Sequence, residues 1–224
     1  MAAPSREPID LSAIPLFPLP NVVLFPCAVL PLHIFEPRYR EMTAAALRGD
    51  RQIAMALLQP GWEKDYHRHP PIDPIVCIGT ILTHEVLPDG KYNFLLQGHT
   101  RARVVMEHGD LSYRLAHLEP IEQTPVSEHL LTEHRRHLIS IFDGGSLLAS
   151  VIGRQFRQLL TSSLSTADIV DLIAFNFFDD IPLKQSLLSD GDVLRRVKRT
   201  ISAFETAHSP PAPVGFHASK PSLN

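Results

Sequence analysis

The chain has 224 residues, of which 44% are hydrophobic and 20% are charged, with a formal net charge of −3. This composition is typical of a soluble globular protein, and a chain of this length can bury a core without needing metals or disulfides. The slightly acidic balance argues against nucleic acid as a ligand, because duplex binding requires concentrated positive charge.

The N-terminal segment predicts neither a signal peptide nor a membrane anchor. MAAPSREPID lacks a basic start followed by an apolar core, and we expect residues 1–12 to be flexible. The chain has two cysteines, Cys27 and Cys77, each inside an apolar run, and two cysteines do not form a disulfide framework. We therefore expect two buried thiols in a cytoplasmic protein.

Residues 17–39, FPLPNVVLFPCAVLPLHIFEPRY, are the most apolar stretch and contain five prolines. Proline suits strand starts, sheet edges and bulges, so we predict short strands that line a small barrel and bend at the prolines. The same prolines, together with His33, exclude a membrane-spanning helix. Pro37 suits the first position of a helix, with Glu36 before it and Gly49 at its end.

The pattern after this helix predicts further strands. Residues 51–59 and 75–87 are apolar runs, and Gly79 is the expected bulge point in the second. The sequence PDG at 88–90 is typical of a turn. Apolar and polar residues then alternate from Tyr92 to Glu107, and less cleanly over 111–119, which indicates half-buried strands. We predict a β subdomain over residues 13–122, with 60–74 as a proline-rich loop.

Helical spacing replaces this alternation in the second half. It predicts a bundle of about four helices over residues 123–206, in which Leu148, Val151 and Ile152 lie on the apolar face of a single helix. Ser165 with Asp168, and Ser189 with Asp192, are capping-box patterns. Pro182 ends or redirects a helix. The proline-containing tail over 207–224 has no periodicity, and we expect it to be disordered.

Three quoted segments resemble one known family. PLFPLPNVVLFPCAVLPLHIFEPRY, IGTILTHEVLPDGKYNFLLQGHTRARV and PLKQSLLSDGDVLRRV occur in the order found in the N-terminal substrate-recognition domain of Lon proteases. They resemble most the stand-alone proteins that contain only that domain. The resemblance covers roughly residues 14 to 205 and implies an α+β fold, with a β pseudo-barrel similar to PUA domains followed by a helical bundle. Cys27 departs from the family, which usually has a small residue such as glycine there.

Motifs for catalysis are absent from the sequence. It contains no GxxxxGK[ST] phosphate loop, no SxxK pair and no GxSxG elbow. The serine–lysine dyad of Lon enzymes belongs to a module that the resemblance does not reach. We therefore expect a protein that is not an enzyme and carries no ATPase or protease module.

Histidines and arginines suggest sites that we do not favour. His67 and His69 lie in a polar loop without an HExxH or CxxC frame, so we predict no metal site and no cofactor. His129, His134 and His137 share one predicted helix, where packed or surface histidines are the simpler interpretation. We interpret Arg101 and Arg103 as the outward face of an alternating strand, in preference to an anion site.

The resemblance implies binding of unfolded or exposed hydrophobic protein segments. We expect Trp62 and Tyr66 to contact such a ligand, since large aromatic residues in a proline-rich loop are less easily explained as core. The alternative for Trp62 is that it folds back and caps the barrel. A groove between barrel and bundle is an equally good binding place.

Other functions remain open at this point. The protein can instead be an adaptor for one specific folded partner, such as a protease. RNA binding rests only on the analogy to PUA domains, and the acidic balance counts against it. An unrecognised hydrolase is the fourth hypothesis. We expect no nucleic-acid ligand, no membrane contact and a protein partner, and the sequence leaves the oligomeric state open.

Overall fold

The computed structural model describes residues 10–65, 68–109 and 111–208. Its strands are β1 (Ile14–Leu19), β2 (Val29–Ile34), β3 (Gln52–Leu57), β4 (Ile75–Val86), β5 (Tyr92–His108) and β6 (Arg114–Pro120). Its helices are α1 (Pro37–Arg48), α2 (Glu128–Phe142), α3 (Gly145–Ala149), α4 (Val151–Leu160), α5 (Thr166–Phe177), α6 (Ile181–Leu188) and α7 (Val193–His208). A sheet followed by helices confirms the predicted α+β class.

The sheet closes into a barrel through its longest strand. The strand order is β2-β5-β4-β3-β1-β6, and β5 also pairs with β6. One edge of β5 pairs with β2 over residues 92–97 and with β6 over residues 102–108, while β4 pairs with the other edge. Only β1 and β3 are parallel; every other pair among the named strands is antiparallel. The barrel therefore has five strands, and β2 extends the sheet beyond it.

The prolines of the opening segment lie in three kinds of position: inside strands, in the links between them and at a helix start. Pro31 lies in β2, which pairs on one side only. Pro37 begins α1 with Glu36 as the residue before it, and Gly49 follows the last turn. The helix start at Pro37 is confirmed. The predicted strands are confirmed only in part, because Pro18 lies inside β1, residues 21–25 form no strand, and β2 lies outside the barrel.

The chain between β1 and β2 crosses β5 at close range. Cys27 N–H donates to the Gly98 carbonyl at 2.9 Å, and Gly98 N–H donates to the Ala28 carbonyl at 2.9 Å. A Cβ on Gly98 would lie 2.3 Å from the Phe25 carbonyl oxygen, so only glycine allows this approach. Cys27 has a φ of 65°, a left-handed value that glycine adopts freely and that strains a residue with a Cβ.

The β4–β5 hairpin follows the sequence prediction. The register shifts at Ile78/Gly79, where a bulge was expected, and again at Ile81/Thr83. Gly90 has a φ of 77° in the turn, and Leu87 N–H donates to the Lys91 carbonyl at 2.8 Å. The bulges increase the local twist, so the outer part of the hairpin leaves the barrel wall.

The helical half contains six helices in its described part, whereas the sequence predicted about four. The predicted helix through Leu148, Val151 and Ile152 is wrong, because Ser150 caps a new helix and its side chain accepts a hydrogen bond from Gly153 N–H. All three apolar residues are consequently exposed. Pro182 lies in the first turn of α6, so it starts a helix where the sequence suggested an end or a redirection.

Two apolar clusters form the core. The smaller one fills the barrel and contains Leu16, Ala54, Val76, Ile78 and Ala102. The larger one runs from the outside of the barrel and α1 into the bundle. In the bundle its centre is aromatic, with Phe142 and Phe204 ring centroids 5.2 Å apart. The bundle therefore packs on the barrel through a continuous apolar layer.

Candidate functional site

A groove between the barrel and the bundle is lined by Trp62, and we call it the Trp62 groove. Its volume is about 490 Å³. The lining residues come from the end of β3 and the following loop on one side and from α6 on the other. They are Pro20, Leu57, Leu58, Pro60, Trp62, Asp73, Ile181, Pro182, Gln185, Ser186 and Ser189.

The barrel side of the groove is held by backbone hydrogen bonds. Leu58 N–H donates to the Leu19 carbonyl at 3.0 Å, and Leu58 forms an antiparallel bridge with Ile72. Gly61 has a φ of 89°, which turns the chain into the short 3₁₀ helix Trp62–Asp65. Trp62 is half-buried and packs against the cluster that fills the barrel. The indole is thus positioned with one part on the barrel core and another in the groove.

The bundle side of the groove is fixed at the start and in the middle of α6. Asp180 accepts a hydrogen bond from Leu183 N–H at 2.9 Å and caps the helix. The buried Gln185 side chain donates to the Ile75 carbonyl of β4 at 2.8 Å, which ties α6 directly to the barrel. Ile181 and Pro182 face the groove from the first turn. Because both walls are anchored, the groove is a preformed cleft.

The lining of the groove is mostly apolar. Leucine, isoleucine, proline and tryptophan side chains make up most of it. The hydroxyls of Ser186 and Ser189 donate to the Leu183 and Gln185 carbonyls of α6, each at 2.8 Å. Asp73 is already engaged, since its carboxylate accepts a hydrogen bond from Ile75 N–H at 2.9 Å. The lining residues include no histidine, cysteine or lysine. The lining therefore suits noncovalent binding of apolar groups, and it offers no nucleophile–base pair.

A buried ionic cluster connects the bundle to the barrel. Arg101 of β5 is 2% exposed, and its guanidinium donates to the Asp171 carboxylate at 2.6 Å and to the Leu188 carbonyl at 3.1 Å. Arg196 of α7 donates to the same carboxylate oxygen at 3.0 Å. Burial raises the pKa of the Asp171 carboxyl, and the two guanidiniums act against that rise.

This cluster corrects the interpretation of Arg101. The side chain leaves the barrel interior as the alternating pattern predicted, and Arg103 is exposed. However, the bundle covers the outside of the barrel at Arg101, so the guanidinium has an internal carboxylate as its anion. The sequence signal for this was weak, because the partner Asp171 lies 70 residues away on the face of a helix.

A second carboxylate secures the α6–α7 connection. Asp190 accepts hydrogen bonds from Arg195 at 2.6 and 2.9 Å and lies 3.3 Å from Arg199. Burial pushes the pKa of Asp190 upward, but these arginines and the N–H of Asp192 outweigh it and hold the pKa below the usual value of 3.8. Asp192 itself caps α7 by accepting from Arg195 N–H at 2.9 Å, so the capping box predicted to start at Ser189 is wrong by three residues.

Of the two predicted contact residues, Trp62 and Tyr66, only Trp62 lies within the described residues. Trp62 lines the groove and also packs on the barrel core. Its position is therefore compatible with contact to a ligand and with the alternative that it caps the barrel. Tyr66 and His67 lie outside the described residues. Sequence reasoning missed Ile181 and Pro182 as lining residues, although the pattern Asp180-Ile-Pro, typical of a capped helix start, was a usable signal.

The environments of the two cysteines do not favour reactive thiolates. The thiols of Cys27 and Cys77 are free. Burial, reinforced by Asp168, raises the pKa of Cys27 to about 11, and burial raises the pKa of Cys77 to about 12. Within the described ranges, no three histidine, cysteine or carboxylate side chains are grouped so that they could hold a metal ion.

No helix in the part of the chain that the structure describes combines the length and apolar character needed to cross a bilayer.

Comparison with solved structures supports the fold. The N-terminal domain of Lon protease from the Mycobacterium avium complex superposes with a TM-score of 0.65 at 15% identity, covering 85% of this chain and 97% of that one. A Lon N-terminal domain protein from Xanthomonas campestris gives a TM-score of 0.60 at 22% identity, covering 85% of this chain and 98% of that one.

Sequence comparison adds the family. Escherichia coli K12 Lon protease is 29% identical over 196 residues, which is 86% of this chain and 24% of that protein. Dictyoglomus thermophilum Lon protease is 27% identical over 192 residues, 83% of this chain and 23% of that protein. The chain thus spans about a quarter of the length of these relatives. Because the model of the ATP-dependent protease La (LON) substrate-binding domain matches residues 13–205, the chain belongs to that domain family.

Proposed function

We propose that this domain binds extended, apolar segments of other polypeptides in the Trp62 groove and performs no chemistry on them. The groove itself is the observation that carries the proposal. It joins an apolar lining with an aromatic residue, and its volume of about 490 Å³ is typical of a ligand site. Membership of a substrate-binding domain family supports the same function.

The physical basis is burial of apolar side chains against Trp62, Leu57 and Ile181. A folded partner keeps such side chains in its own core, whereas an unfolded chain exposes them. Selectivity for unfolded clients then follows from accessibility, without recognition of a particular sequence.

The single tryptophan of the chain makes a direct test feasible. Reduced and carboxymethylated lysozyme, which cannot refold, serves as the unfolded client and is titrated into the protein. Trp62 emission is recorded after the emission of the client alone has been subtracted. In parallel, the anisotropy of fluorescein-labelled client is measured. We expect saturable, micromolar binding of the unfolded client and a change in Trp62 emission, with no binding of native lysozyme.

Matched variants locate the binding. Trp62→Ala should weaken client binding about tenfold or more, since tryptophan is enriched among dominant interface residues. Val151→Ala, which truncates an exposed apolar residue on α4, should leave binding unchanged. Trp62→Phe keeps an aromatic ring on the barrel core and controls for loss of folding. Binding that is identical in Trp62→Ala and wild type would place the client elsewhere.

The adaptor function predicts a different result in the same experiment. An adaptor for one folded partner would ignore unfolded lysozyme and would instead retain a single native protein in a pull-down. Absence of any binding to the unfolded client would therefore overturn the proposal and favour the adaptor.

A further inference from the structure

The last five residues of β4, Leu82–Val86, form a strand edge that we call the β4 edge. Most of the preceding part of β4 is buried, whereas all five residues of the edge are exposed. Pairing with β3 ends at Thr80, and Ile81 N–H makes one further bond to the Arg51 carbonyl at 2.9 Å. Beyond it, no strand in the described ranges pairs with the β4 edge on the side away from β5.

The hairpin geometry determines which backbone groups of the β4 edge point outward. Leu87 N–H bonds to the Lys91 carbonyl, and hydrogen-bonded pairs alternate along an antiparallel ladder. Glu85 therefore bonds to Asn93 of β5, its register partner. The N–H and C=O groups of His84 and Val86 consequently point to the open side, where an additional strand could pair with them.

The opposite edge of the same three-stranded extension carries a proline, and the β4 edge does not. On β2, the Gly98–Ala28 bond sets the alternation so that Pro31 lies at an outward-pointing position, in the middle of the strand. Proline has no N–H to offer, which is one way natural proteins block pairing at a free edge. Leu82–Val86 contains neither proline nor lysine. This contrast between the two edges indicates that the β4 edge is available for pairing with a further strand.

The side chains around the β4 edge select the chemistry of an added strand. Leu82 and Val86 are 42% and 57% exposed and offer apolar contacts. On the outer face, Glu85 accepts a hydrogen bond from Asn93 at 3.3 Å and lines a trough of about 440 Å³ shared with Leu95. Among the described residues, no lysine or arginine forms a salt bridge with Glu85. Its charge therefore complements a cationic side chain on the incoming strand.

We propose that the β4 edge binds an extended polypeptide segment by strand addition, with alternating apolar and cationic side chains. Main-chain hydrogen bonds to His84 and Val86 provide affinity, and a lysine or arginine beside Glu85 provides preference. This deepens the proposed function in that it takes the ligand to be a polypeptide. It is a site separate from the Trp62 groove, because the β4 edge and the groove share no lining residues.

The test uses a fluorescein-labelled eight-residue peptide of alternating valine and lysine, followed by anisotropy. Wild type and His84→Ala should bind it, since both keep the outward N–H. His84→Pro removes that N–H and fixes φ at an edge where proline is tolerated, and it should bind at least tenfold more weakly than His84→Ala. The same peptide with N-methylated backbone amides should also lose at least tenfold. Trp62→Ala should bind like wild type.

A charge-reversal variant keeps the test informative if His84→Pro does not fold. Glu85→Lys should shift preference from the valine–lysine peptide to a valine–glutamate peptide. Equal binding of the N-methylated peptide, or an unchanged preference in Glu85→Lys, would overturn the proposal. Light scattering can also overturn it. If wild type is a dimer that the peptide does not dissociate, and His84→Pro is a monomer, then the β4 edge pairs with a second copy of the chain.

The two proposals fail separately. Loss of unfolded-lysozyme binding in Trp62→Ala concerns only the groove, whereas the His84 and Glu85 variants concern only the β4 edge. Peptide binding that disappears in Trp62→Ala and persists in His84→Pro would sink strand addition and leave the groove proposal standing.

Discussion

At the scale of single residues, Cys27 carries a conformational penalty that can be measured. Its φ of 65° costs a residue with a Cβ about 1–2 kcal/mol, which glycine avoids. We therefore expect Cys27→Gly to be more stable than Cys27→Ala by about 1 kcal/mol in urea unfolding. The comparison removes the thiol in both variants, so it isolates the backbone effect.

Cys77 offers the control for that comparison. It lies inside β4 and is not among the described non-glycine residues with positive φ. There, Cys77→Gly should be the less stable variant, because glycine weakens a strand interior. The same order of stability at both positions would show that φ at Cys27 is not the cause.

Asp190 predicts a pH dependence of stability. Its pKa is lower in the folded state than the usual 3.8, so the folded protein gains stability from the ionised form above that value and loses it as the pH falls through the lowered pKa. Asp190→Asn should therefore be less stable than wild type at pH 7. The difference in stability between wild type and Asp190→Asn should shrink toward zero as the pH is lowered from 3.8 to about 2.

Urea titrations of wild type and Asp190→Asn at pH 7 and at about pH 2 check this prediction. Subtracting the two curves removes the contributions of all other carboxylates. A difference that is unchanged at low pH would mean that the arginine contacts stabilise the protonated side chain equally well.

At the scale of elements, the cap of α6 matters for both stability and binding. Asp180→Ala removes the hydrogen bond to Leu183 N–H and should lower the free energy of unfolding by about 1 kcal/mol. Because Ile181 and Pro182 lie in the capped turn, affinity for the unfolded client should fall as well. Asp179→Ala, one residue earlier, is the matched control and should change neither quantity.

The strands and helix starts show what the sequence could predict. Local signals were sufficient for Pro37 at the start of α1, Gly79 at a bulge and Ser165 as a cap, whose hydroxyl accepts from Asp168 N–H at 3.1 Å. Each depends on a backbone requirement that few residues meet, so the residue type reveals the structure.

Features that depend on distant partners were not predictable in the same way. Arg101 on a strand looks like any outward-facing arginine until the bundle covers it and Asp171 approaches. The Trp62 groove has the same origin, since its two walls are about 120 residues apart in the chain and meet only through tertiary packing. Trp62 was predicted from its unusual loop context. The helix-start pattern at Asp180 was a signal for the position of Ile181 in a first helical turn, but not for the barrel residues that face it.

At the scale of the whole molecule, the barrel and bundle depend on the buried ionic cluster. Asp171→Ala leaves the guanidiniums of Arg101 and Arg196, both buried, without their shared carboxylate. Removing one partner of a buried ion pair costs about 3–5 kcal/mol, so we expect this loss in the free energy of unfolding. Urea denaturation followed by circular dichroism measures it.

An exposed ion pair provides the reference. Arg136→Ala breaks a solvent-exposed contact with Glu133 on α2 and should change stability by less than about 1 kcal/mol. If Asp171→Ala cost no more than this variant, the apolar layer alone would hold the bundle on the barrel.

The closure of the barrel also has a consequence for the order in which the protein acquires its structure. β1 pairs with β6 so that Ile14 lies opposite Ala116, and the ring cannot close until both are present. Contacts between residues so far apart in sequence slow folding, because a long loop must be ordered first. During synthesis, the first four strands emerge well before β6. Their apolar faces therefore remain uncovered in the nascent chain until translation has passed residue 120.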